Sequence, residues 1–337
     1  MASLRAGIVG VGAMGRNHAR VLREMEGVDL VAIADSAGDR FGVAGDARVC
    51  ASVDEMIAVG LDMAIVAVPT VLHEAAAIPL ARAGVPTLIE KPVAGSVVAA
   101  QRIEDEFESR GVPSAVGHIE RFNQALAELR RRLRAGQVGE VLQIATRRQS
   151  PFPTRINDVG VIMDLAVHDL NTTQWLAGSD YASVSAWVAR CAGREHEDLV
   201  SIAGVLEGGV IANHIVNWLT PFKERQTVVT GEHGTLVADS LNVTLTYYAN
   251  GASTIEWDQV AQFRGVTEGE VTRYELAPRE PLRVEDEAFR DFARGSSSDV
   301  VLLREGIRTL QVAAAVQDSS REGHVVVIDR RPETVAD

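Results

Sequence analysis

The sequence predicts an α/β protein, with an N-terminal doubly wound parallel sheet followed by an α+β domain that carries a mostly antiparallel open sheet. Short apolar runs alternate with helix-like segments in the first third, and closely spaced strand-like runs fill most of the remainder. The change from alternating strands and helices to closely spaced strands occurs near Arg121, so we place the domains at residues 1–120 and 121–337. With 337 residues, the chain is long enough for each domain to bury a core.

The first domain is predicted from strands separated by helices. The predicted strands are Arg5–Gly10, Leu30–Ala34, Met63–Val68, Thr87–Glu90 and Val112–Gly117, and the clearest helices are Gly15–Met25 and Val71–Ala83. The run Ala64–Val68 is continuously apolar, which is typical of a strand buried on both faces of a parallel sheet. Strands and helices that alternate at this spacing indicate βαβ units.

The second domain begins with a predicted basic helix, Ala125–Arg134, which ends near Gly136. The strands predicted after it are Glu140–Arg148, Ala182–Arg190, Leu199–Leu206, Val210–Trp218, Gln226–Thr230, Thr235–Ala238 and Val243–Tyr248. Many of their connections are too short for a crossover helix, so antiparallel pairing is expected, with a hairpin at Glu207–Gly209. A helix at Val301–Ser319 and a strand at Val325–Ile328 close the domain.

Composition narrows the class of protein. Apolar residues make up 46% of the chain and charged residues 23%, and no apolar stretch is long enough to span a bilayer. The formal charge of −13 argues against nucleic acid as a partner. Cys50 and Cys191 lie far apart and form no metal-ligand spacing, so we expect no metal site and a reducing, cytoplasmic environment. Because no apolar stretch is long enough to span a bilayer, we expect no membrane partner.

A glycine-rich turn follows the first predicted strand. The residues expected to contact a dinucleotide there are Gly10, Gly12, Ala13, Met14 and Gly15. The first glycine permits the tight turn, the second lets the backbone approach the pyrophosphate, and the third lets helix and strand pack closely. The helix that follows offers its N-terminus to the phosphates. These features predict a Rossmann dinucleotide-binding domain.

The type of dinucleotide follows from the end of the second strand. Asp35, with Ser36 beside it, stands 20 residues beyond Gly15, where a carboxylate can accept both ribose hydroxyls. A carboxylate also repels the 2′-phosphate of NADP, so NAD is the expected cofactor. Arg40 is close enough in sequence to keep some use of NADP open.

A second conspicuous turn, Glu90-Lys91-Pro92, follows a later strand. Ligands of open parallel sheets bind beyond the carboxyl ends of the strands, so Lys91 should point into the cofactor crevice. Lys91 and Lys223 are the only lysines among 33 basic residues. A lysine ammonium at this position can stabilise a developing oxyanion during hydride transfer.

An aspartate and a histidine in the second domain share one face of a predicted helix. Asn157 or Asp158 is expected to cap this helix, which ends at Gly178. Asp164 and His168 then stand at positions i and i+4, and Thr172 lies one turn further on. The histidine can accept a hydroxyl proton, and the carboxylate can orient a substrate hydroxyl or support the imidazolium.

Together these motifs resemble the glucose–fructose oxidoreductase/inositol dehydrogenase/rhizopine catabolism family (Gfo/Idh/MocA). The resemblance covers nearly the whole chain and implies that Lys91, His168 and Asp164 are catalytic. It also implies that one sheet face pairs subunits into a homodimer or homotetramer. The further cofactor contacts assigned on this basis are Val68, Pro69, Thr70, His73, Glu90 and Lys91.

Two segments, 117–123 and 151–161, resemble a subgroup that contains UDP-N-acetylglucosamine 3-dehydrogenases. One departure is Gln124, which stands where that subgroup has proline. The substrate-binding residues assigned on this basis are Arg121, Phe122, Asn123, Arg148, Arg155 and Thr172. Arginines near the site are expected to pair with a diphosphate.

The sequence therefore predicts an NAD-dependent dehydrogenase that oxidises a ring hydroxyl, at C3, of a nucleotide sugar such as a UDP-N-acetylhexosamine. An inositol or free-sugar dehydrogenase and a keto-sugar reductase working in the opposite direction are the alternatives within the same class. A non-enzymatic NAD-binding regulator is the alternative from another class, and it gives no reason to keep Lys91, Asp164 and His168 together. The first domain alone is expected to bind NAD and to oxidise nothing.

Overall fold

The computed structural model describes residues 3–153, 159–251, 267–296 and 299–328. The chain divides into two compact units, each made of two separate segments. The first unit comprises Met1–Phe122 and Arg279–Gln311, and the second comprises Asn123–Pro278 and Val312–Asp337.

The first unit is built on a parallel sheet. Its strands are β1 (Leu4–Val9), β2 (Val28–Ala34), β3 (Arg48–Cys50), β4 (Met63–Val66), β5 (Thr87–Glu90) and β6 (Ser114–Gly117). They lie in the order β3-β2-β1-β4-β5-β6 with parallel pairing throughout, which is the doubly wound order. The prediction of this sheet is confirmed, and the short edge strand β3 is an addition to it.

Helices connect these strands. They are α1 (Gly15–Glu24), α2 (Val53–Ile57), α3 (His73–Arg82) and α4 (Val97–Glu108). Two of them begin at serine caps, because the hydroxyl of Ser52 accepts the backbone N–H of Glu55 and that of Ser96 accepts the N–H of Ala99. The helix predicted at Val71–Ala83 begins instead with a 3₁₀ turn, Thr70–Leu72, and is α-helical from His73.

The second unit is built on a larger sheet. Its helices are α5 (Gln124–Arg134) and α6 (Val167–Ala177). Its strands are β7 (Val141–Pro151), β8 (Tyr181–Ala189), β9 (Leu199–Leu206), β10 (Ile211–Asn217), β11 (Leu219–Gly231), β12 (Gly234–Asp239), β13 (Thr244–Gly251), β14 (Thr267–Tyr274) and β15 (Val326–Val327). The order is β14-β13-β12-β11-β7-β10-β9-β8-β15, and β10 with β7 is the parallel pair among otherwise antiparallel neighbours. The predicted mostly antiparallel sheet is confirmed.

Side chains on this sheet alternate between a buried and an exposed face. Val184 and Ala186 on β8 are buried in a core that also contains Leu170 of α6. On the other face Trp187 is 64% exposed, and Ile211 and Ile215 are about two-fifths exposed. The predicted hairpin joins β9 to β10 through Gly208 and Gly209, whose φ values of 88° and 91° suit glycine.

The last part of the fold is α7 (Pro281–Ala293) and α8 (Leu303–Glu322). The sequence placed all residues after 120 in one domain, whereas Arg279–Gln311 packs with the first unit. The physical reason is burial: Phe289 of α7 is fully buried in the core that contains Ile8 and Leu22. A single bridge also joins Leu302 to Ala115 of β6. Among the described residues, none of the helices combines the length and the hydropathy that a transmembrane span requires.

Candidate active site

The three glycines of the turn between β1 and α1 have different structural roles. Gly10 has a φ of 85°, and a Cβ there would lie 2.8 Å from the backbone nitrogen of Val68. A Cβ on Gly15 would lie 1.9 Å from the carbonyl oxygen of Gly10, so only glycine lets α1 start this close to β1. A Cβ on Gly12 would meet no described atom within 4 Å. Gly12 therefore borders open space where a pyrophosphate can approach the backbone.

Asp35 stands at the carboxyl end of β2 and faces this turn. Its Oδ2 accepts the backbone N–H of Val11 at 2.9 Å, and its Oδ1 accepts that of Ala37 at 2.8 Å. Each bond uses one lone pair of a carboxylate oxygen, so both oxygens retain acceptor capacity for ribose hydroxyls. The two bonds fix the orientation of the carboxylate before any ligand binds.

A cavity of about 480 Å³ lies beside Asp35. Its lining residues are Val9, Gly10, Gly12, Ala34, Asp35, Ser36, Ala51, Ser52, Val53, Ala67, Val68, Pro69, Leu72, Ala75 and Ala76. Most of the lining is apolar, as the adenine of a dinucleotide requires, and the carboxylate marks the ribose position. The residues present therefore fit an adenine dinucleotide.

Several cofactor residues expected from the sequence line this cavity and others do not. Gly10, Gly12, Asp35, Ser36, Val68 and Pro69 are in its wall. Ala13, Met14 and Thr70 belong to the adjoining turns without lining it. The sequence reasoning missed Ala51, Ser52 and Val53 because it did not recognise β3, although the Ser52 cap is a visible helix-start signal.

His73, another predicted cofactor contact, has a structural role within the first unit. Its ring is buried, and Nδ1 lies 3.0 Å from the carbonyl oxygen of Pro92 while Nε2 lies 3.0 Å from that of Val68. Burial lowers the pKa of His73. The imidazole thus joins the turn after β4 to the turn after β5.

Lys91 lies half-buried in the turn that follows β5. Its backbone N–H donates to Oε2 of Glu90 at 3.1 Å, and Glu90 itself is buried. The neighbouring His118 is also buried, and burial together with the positive charges of Arg121 and Lys91 holds its pKa well below the ordinary value. His118 therefore adds no positive charge beside Lys91 at neutral pH.

Behind Glu90 lies a buried cluster that the sequence did not predict. His18 of α1 is fully buried, with Nε2 at 3.0 Å from Oε1 of Glu90 and Nδ1 at 2.9 Å from Oδ1 of Asp286. Burial by itself lowers the pKa of His18, but the charges and hydrogen bonds of Asp286 and Glu90 outweigh burial and raise that pKa well above its ordinary value. Glu285 lies in the same cluster, and burial raises its pKa well above the usual range.

The helix that carries Asp164 and His168 has an irregular start. Ile162–Ala166 forms a π-helical turn, which continues as α6 and ends at Gly178 with a φ of 64°. Asp164 lies within the π turn and His168 just beyond it, and both are half-buried. Short π-helical turns are frequent at functional sites. The cap expected at Asn157 or Asp158 lies outside the described residues.

A residue from another segment caps this helix. Oε1 of Glu197 accepts the backbone N–H of Ile162 at 3.1 Å, and its carbonyl oxygen accepts that of Val161 at 3.0 Å. A Cβ on Gly160 would lie 2.0 Å from the same carboxylate. Glu197 thus satisfies two backbone N–H groups at the start of this helix, although it lies 35 positions from Ile162 in the sequence.

Three of the predicted substrate residues, Arg121, Asn123 and Arg148, have partners within their own units. Arg148 is buried, and its Nε donates to Oδ1 of Asp169 at 2.9 Å. Arg121 is buried in an ion pair with Glu305 at 2.8 Å, and burial lowers its pKa. Asn123 caps α5 through the N–H of Ala125 and donates to the carbonyl oxygen of Ser240. Phe122 and Thr172 are buried, and Arg155 lies outside the described residues.

Both halves of this chain are similar in sequence to known protein families. A sequence model described as "Oxidoreductase family, NAD-binding Rossmann fold" matches residues 4–118, and one described as "GFO/IDH/MocA C-terminal domain" matches residues 126–237. The chain belongs to the GFO/IDH/MocA oxidoreductase family. It is an NAD-dependent oxidoreductase that acts on hydroxyl groups, in agreement with the expectation from sequence.

Similar proteins within the GFO/IDH/MocA family point to more than one substrate. A UDP-N-acetylglucosamine 3-dehydrogenase of Acidithiobacillus ferrooxidans is 31% identical over 318 residues, 94% of this chain and 96% of the relative. The myo-inositol dehydrogenase Hyg17 of Streptomyces leeuwenhoekii is 29% identical over 95% of this chain and 98% of its own. The solved structure of the Acidithiobacillus ferrooxidans enzyme GnnA has a TM-score of 0.83 at 28% identity, covering 96% and 99% of the two chains.

Proposed function

We propose that this protein is a dehydrogenase that oxidises the C3 hydroxyl of a nucleotide sugar such as a UDP-N-acetylhexosamine. The observation that carries the proposal is the 31% identity to a UDP-N-acetylglucosamine 3-dehydrogenase over 94% of the chain. The nucleotide-sugar subgroup motifs at residues 117–123 and 151–161 support it. Oxidation of inositol is the second candidate, because Hyg17 is also similar over nearly the whole chain.

The proposed catalytic residues are Lys91, His168 and Asp164. Gly12 and Asp35 would hold NAD, which would supply the hydride acceptor for the carbon that carries the hydroxyl group. His168 accepts the hydroxyl proton, and the ammonium of Lys91 stabilises the negative charge that develops on oxygen. Asp164 orients the substrate hydroxyl or supports the charged imidazole. In the reductive direction, His168 returns the proton to the keto oxygen.

Substitution of the proposed catalytic residues should separate cofactor binding from turnover. Lys91→Ala and His168→Ala should still bind NAD and lose turnover by about a hundredfold to ten-thousandfold, the usual contribution of a positioned acid or base. NAD affinity by protein fluorescence and initial rates of NADH formation measure the two effects. Lys223→Ala, which removes the other lysine from an exposed position on β11, is the control. Wild-type turnover in Lys91→Ala would contradict the proposed mechanism.

A substrate panel tests the proposed substrate. Purified protein with NAD is offered UDP-N-acetylglucosamine, UDP-glucose, a dTDP-sugar, myo-inositol and glucose, and NADH formation is followed by absorbance. The proposal expects the largest kcat/KM for a UDP-sugar and thermal stabilisation by UDP alone. Turnover of inositol without any stabilisation by UDP selects the second candidate.

We also propose that the exposed sheet face of the second unit joins subunits into a homodimer or homotetramer in the cytoplasm. Trp187 on β8, and Ile211 and Ile215 on β10 across the intervening strand β9, give this face apolar side chains that a partner would cover. Ile215→Glu should reduce the molar mass measured by sedimentation, while Val98→Glu on α4 should leave it unchanged. An unchanged mass for Ile215→Glu argues against this interface.

A further inference from the structure

The buried cluster behind the Lys91 turn links three distant parts of the first unit. His18 lies on α1, Glu90 ends β5, and Asp286 lies on α7, 268 positions from His18 in the sequence. His18 and Asp286 are 0% exposed and Glu90 is 6% exposed, so their hydrogen bonds are shielded from water. Buried polar groups of this kind are costly unless each has a partner, so the geometry of the cluster is tightly defined.

The two ring nitrogens of His18 constrain where protons lie. Both nitrogens have a carboxylate oxygen within about 3.0 Å, and a neutral imidazole carries only one N–H. A doubly protonated imidazole donates to Glu90 and to Asp286 at once. Burial raises the pKa of Asp286 while the positive charge of His18 opposes that rise. The acid Glu285 has no hydrogen-bond partner among the described residues, and burial raises its pKa well above the usual range.

Glu90 transmits this constraint to Lys91. One carboxylate oxygen accepts from His18 at 3.0 Å, and the other accepts the backbone N–H of Lys91 at 3.1 Å. The carboxylate also lies over the backbone of β6, because a Cβ on Gly117 would approach its Cδ to 3.2 Å. Glu90 therefore has little freedom to move without also moving the first peptide of the Lys91 turn.

We infer that His18, held by Asp286, is a positioning residue for Lys91: its imidazole fixes Glu90, and Glu90 fixes the backbone N–H of Lys91. The inference rests on the proposed function only in taking Lys91 as a group that acts on substrate. The bonds from His18 and Lys91 to Glu90 also connect α1, which follows the dinucleotide turn, with the turn that carries the lysine. Asp286 does not touch substrate, and it acts through His18.

A metal ion is the other chemistry that His18, Glu285 and Asp286 suggest, because their ligand atoms lie within 4.8 Å of one another. A ligating imidazole nitrogen must be free of its proton. In this cluster both nitrogens instead face carboxylates at hydrogen-bond distance, so protons occupy the positions that a metal needs. The hydrogen-bond geometry therefore favours the positioning role.

The presence of only two lysines makes Lys91 directly observable. Reductive methylation with ¹³C-formaldehyde gives one dimethyl-lysine NMR signal each for Lys91 and Lys223, and Lys91→Ala assigns them. His18→Gln and Asp286→Asn should each shift the Lys91 signal and leave the Lys223 signal in place. Glu104→Gln, which changes a buried carboxyl on α4 outside the cluster, should shift neither.

Turnover gives a second measurement on the same variants. With NAD and the best substrate of the panel, His18→Gln and Asp286→Asn should lower kcat by roughly tenfold to a hundredfold, the cost of misplacing a reacting group. Their NAD affinity should stay within about threefold of the wild type, because neither residue lines the cofactor cavity. Glu104→Gln should keep the wild-type kcat.

The outcomes separate this inference from the proposed function. If Lys91→Ala loses turnover but both cluster variants keep the wild-type kcat and an unshifted Lys91 signal, the positioning role is wrong and the proposed function stands. If Lys91→Ala keeps wild-type turnover, the proposed mechanism fails. In that case the Lys91 signal alone decides whether the cluster positions this lysine. An unshifted signal in both cluster variants overturns the inference.

Discussion

His214 shows how a single buried residue ties the stability of this protein to pH. It lies on β10 with Nδ1 at 2.7 Å from Oγ1 of Thr146 and Nε2 at 2.7 Å from the hydroxyl oxygen of Tyr181. Burial lowers the pKa of His214 from 6.5 to about 3. The ring is therefore neutral at pH 7, and its neutral form makes both hydrogen bonds.

The sign of the pH effect follows from this lowered pKa. Between the folded pKa of about 3 and the unfolded value of 6.5, the unfolded chain binds a proton that the folded protein does not bind. The stabilisation that depends on a neutral His214 is therefore fully present above pH 6.5. As the pH falls below 6.5, the free energy of unfolding decreases because of this residue by at most about 1.4 kcal/mol per pH unit. His214→Gln should give a shallower loss of the free energy of unfolding between about pH 6.5 and pH 5 in urea titrations.

His324 provides the control for this measurement. Its side chain is 61% exposed, so His324→Gln should leave the pH dependence of unfolding as it is in the wild type. A wild-type pH slope in His214→Gln contradicts the assignment of acid sensitivity to His214.

At the scale of elements, two glycines of the β1–α1 turn have different roles, although both belong to the same sequence motif. Gly15 serves the fold, because a Cβ there would overlap the carbonyl oxygen of Gly10. Gly12 serves the ligand, because a Cβ there would contact no described atom and would only fill the space that a dinucleotide needs. Stability and cofactor affinity should therefore respond to different glycines in one short turn.

Gly12→Ala is the substitution that tests this separation. It should leave the unfolding temperature within about 2 °C of the wild type and weaken NAD binding by tenfold or more, about 1.4 kcal/mol. Thermal unfolding without ligand and calorimetric titration with NAD measure the two effects. Gly95→Ala should change neither, since its Cβ would lie 4.0 Å from the nearest atom, on Val71. Unchanged NAD affinity in Gly12→Ala would contradict the role of this glycine.

At the scale of the whole molecule, the first unit depends on residues that come late in the chain. Phe289 is fully buried in the same core as Ile8, Leu22 and Leu88, although it lies beyond every motif of the dinucleotide domain. Asp286, three positions earlier, completes the hydrogen bonds of His18. The sequence expectation that residues 1–120 alone bind NAD omits both of these residues.

Phe289→Ala should therefore destabilise the unit that binds NAD. Removing a buried phenylalanine costs about 3–5 kcal/mol, and added NAD should recover part of that loss because it binds only the folded unit. Differential scanning calorimetry with and without NAD measures both changes. Phe222→Ala, at a 57% exposed position on β11, is the matched control. Wild-type unfolding of Phe289→Ala is the result that argues against this dependence.

Sequence reasoning succeeded where the signal is local. The strands of the first sheet carry continuous apolar runs such as Met63–Val66, and the glycine turn carries its own spacing. It did not find the His18–Asp286 contact, because partners 268 positions apart leave no periodic pattern. It also missed Glu197, which accepts the N–H of Ile162 from 35 positions away. It missed the partner of Arg148 as well, because the sequence does not distinguish an arginine that pairs with a buried aspartate from one that binds a phosphate.

The two-segment composition of the first unit has a consequence for how the protein is made. A ribosome releases residues 1–122 long before it reaches 279–311, and synthesis proceeds at about 5–20 residues per second. For that interval, the place that Phe289 will occupy is unfilled, and His18 has Glu90 as a partner without Asp286. The core of the dinucleotide domain is therefore incomplete until residues 279–311 have been synthesised. A nascent chain stalled before residue 281 should be cut by proteases within segments that the finished protein protects.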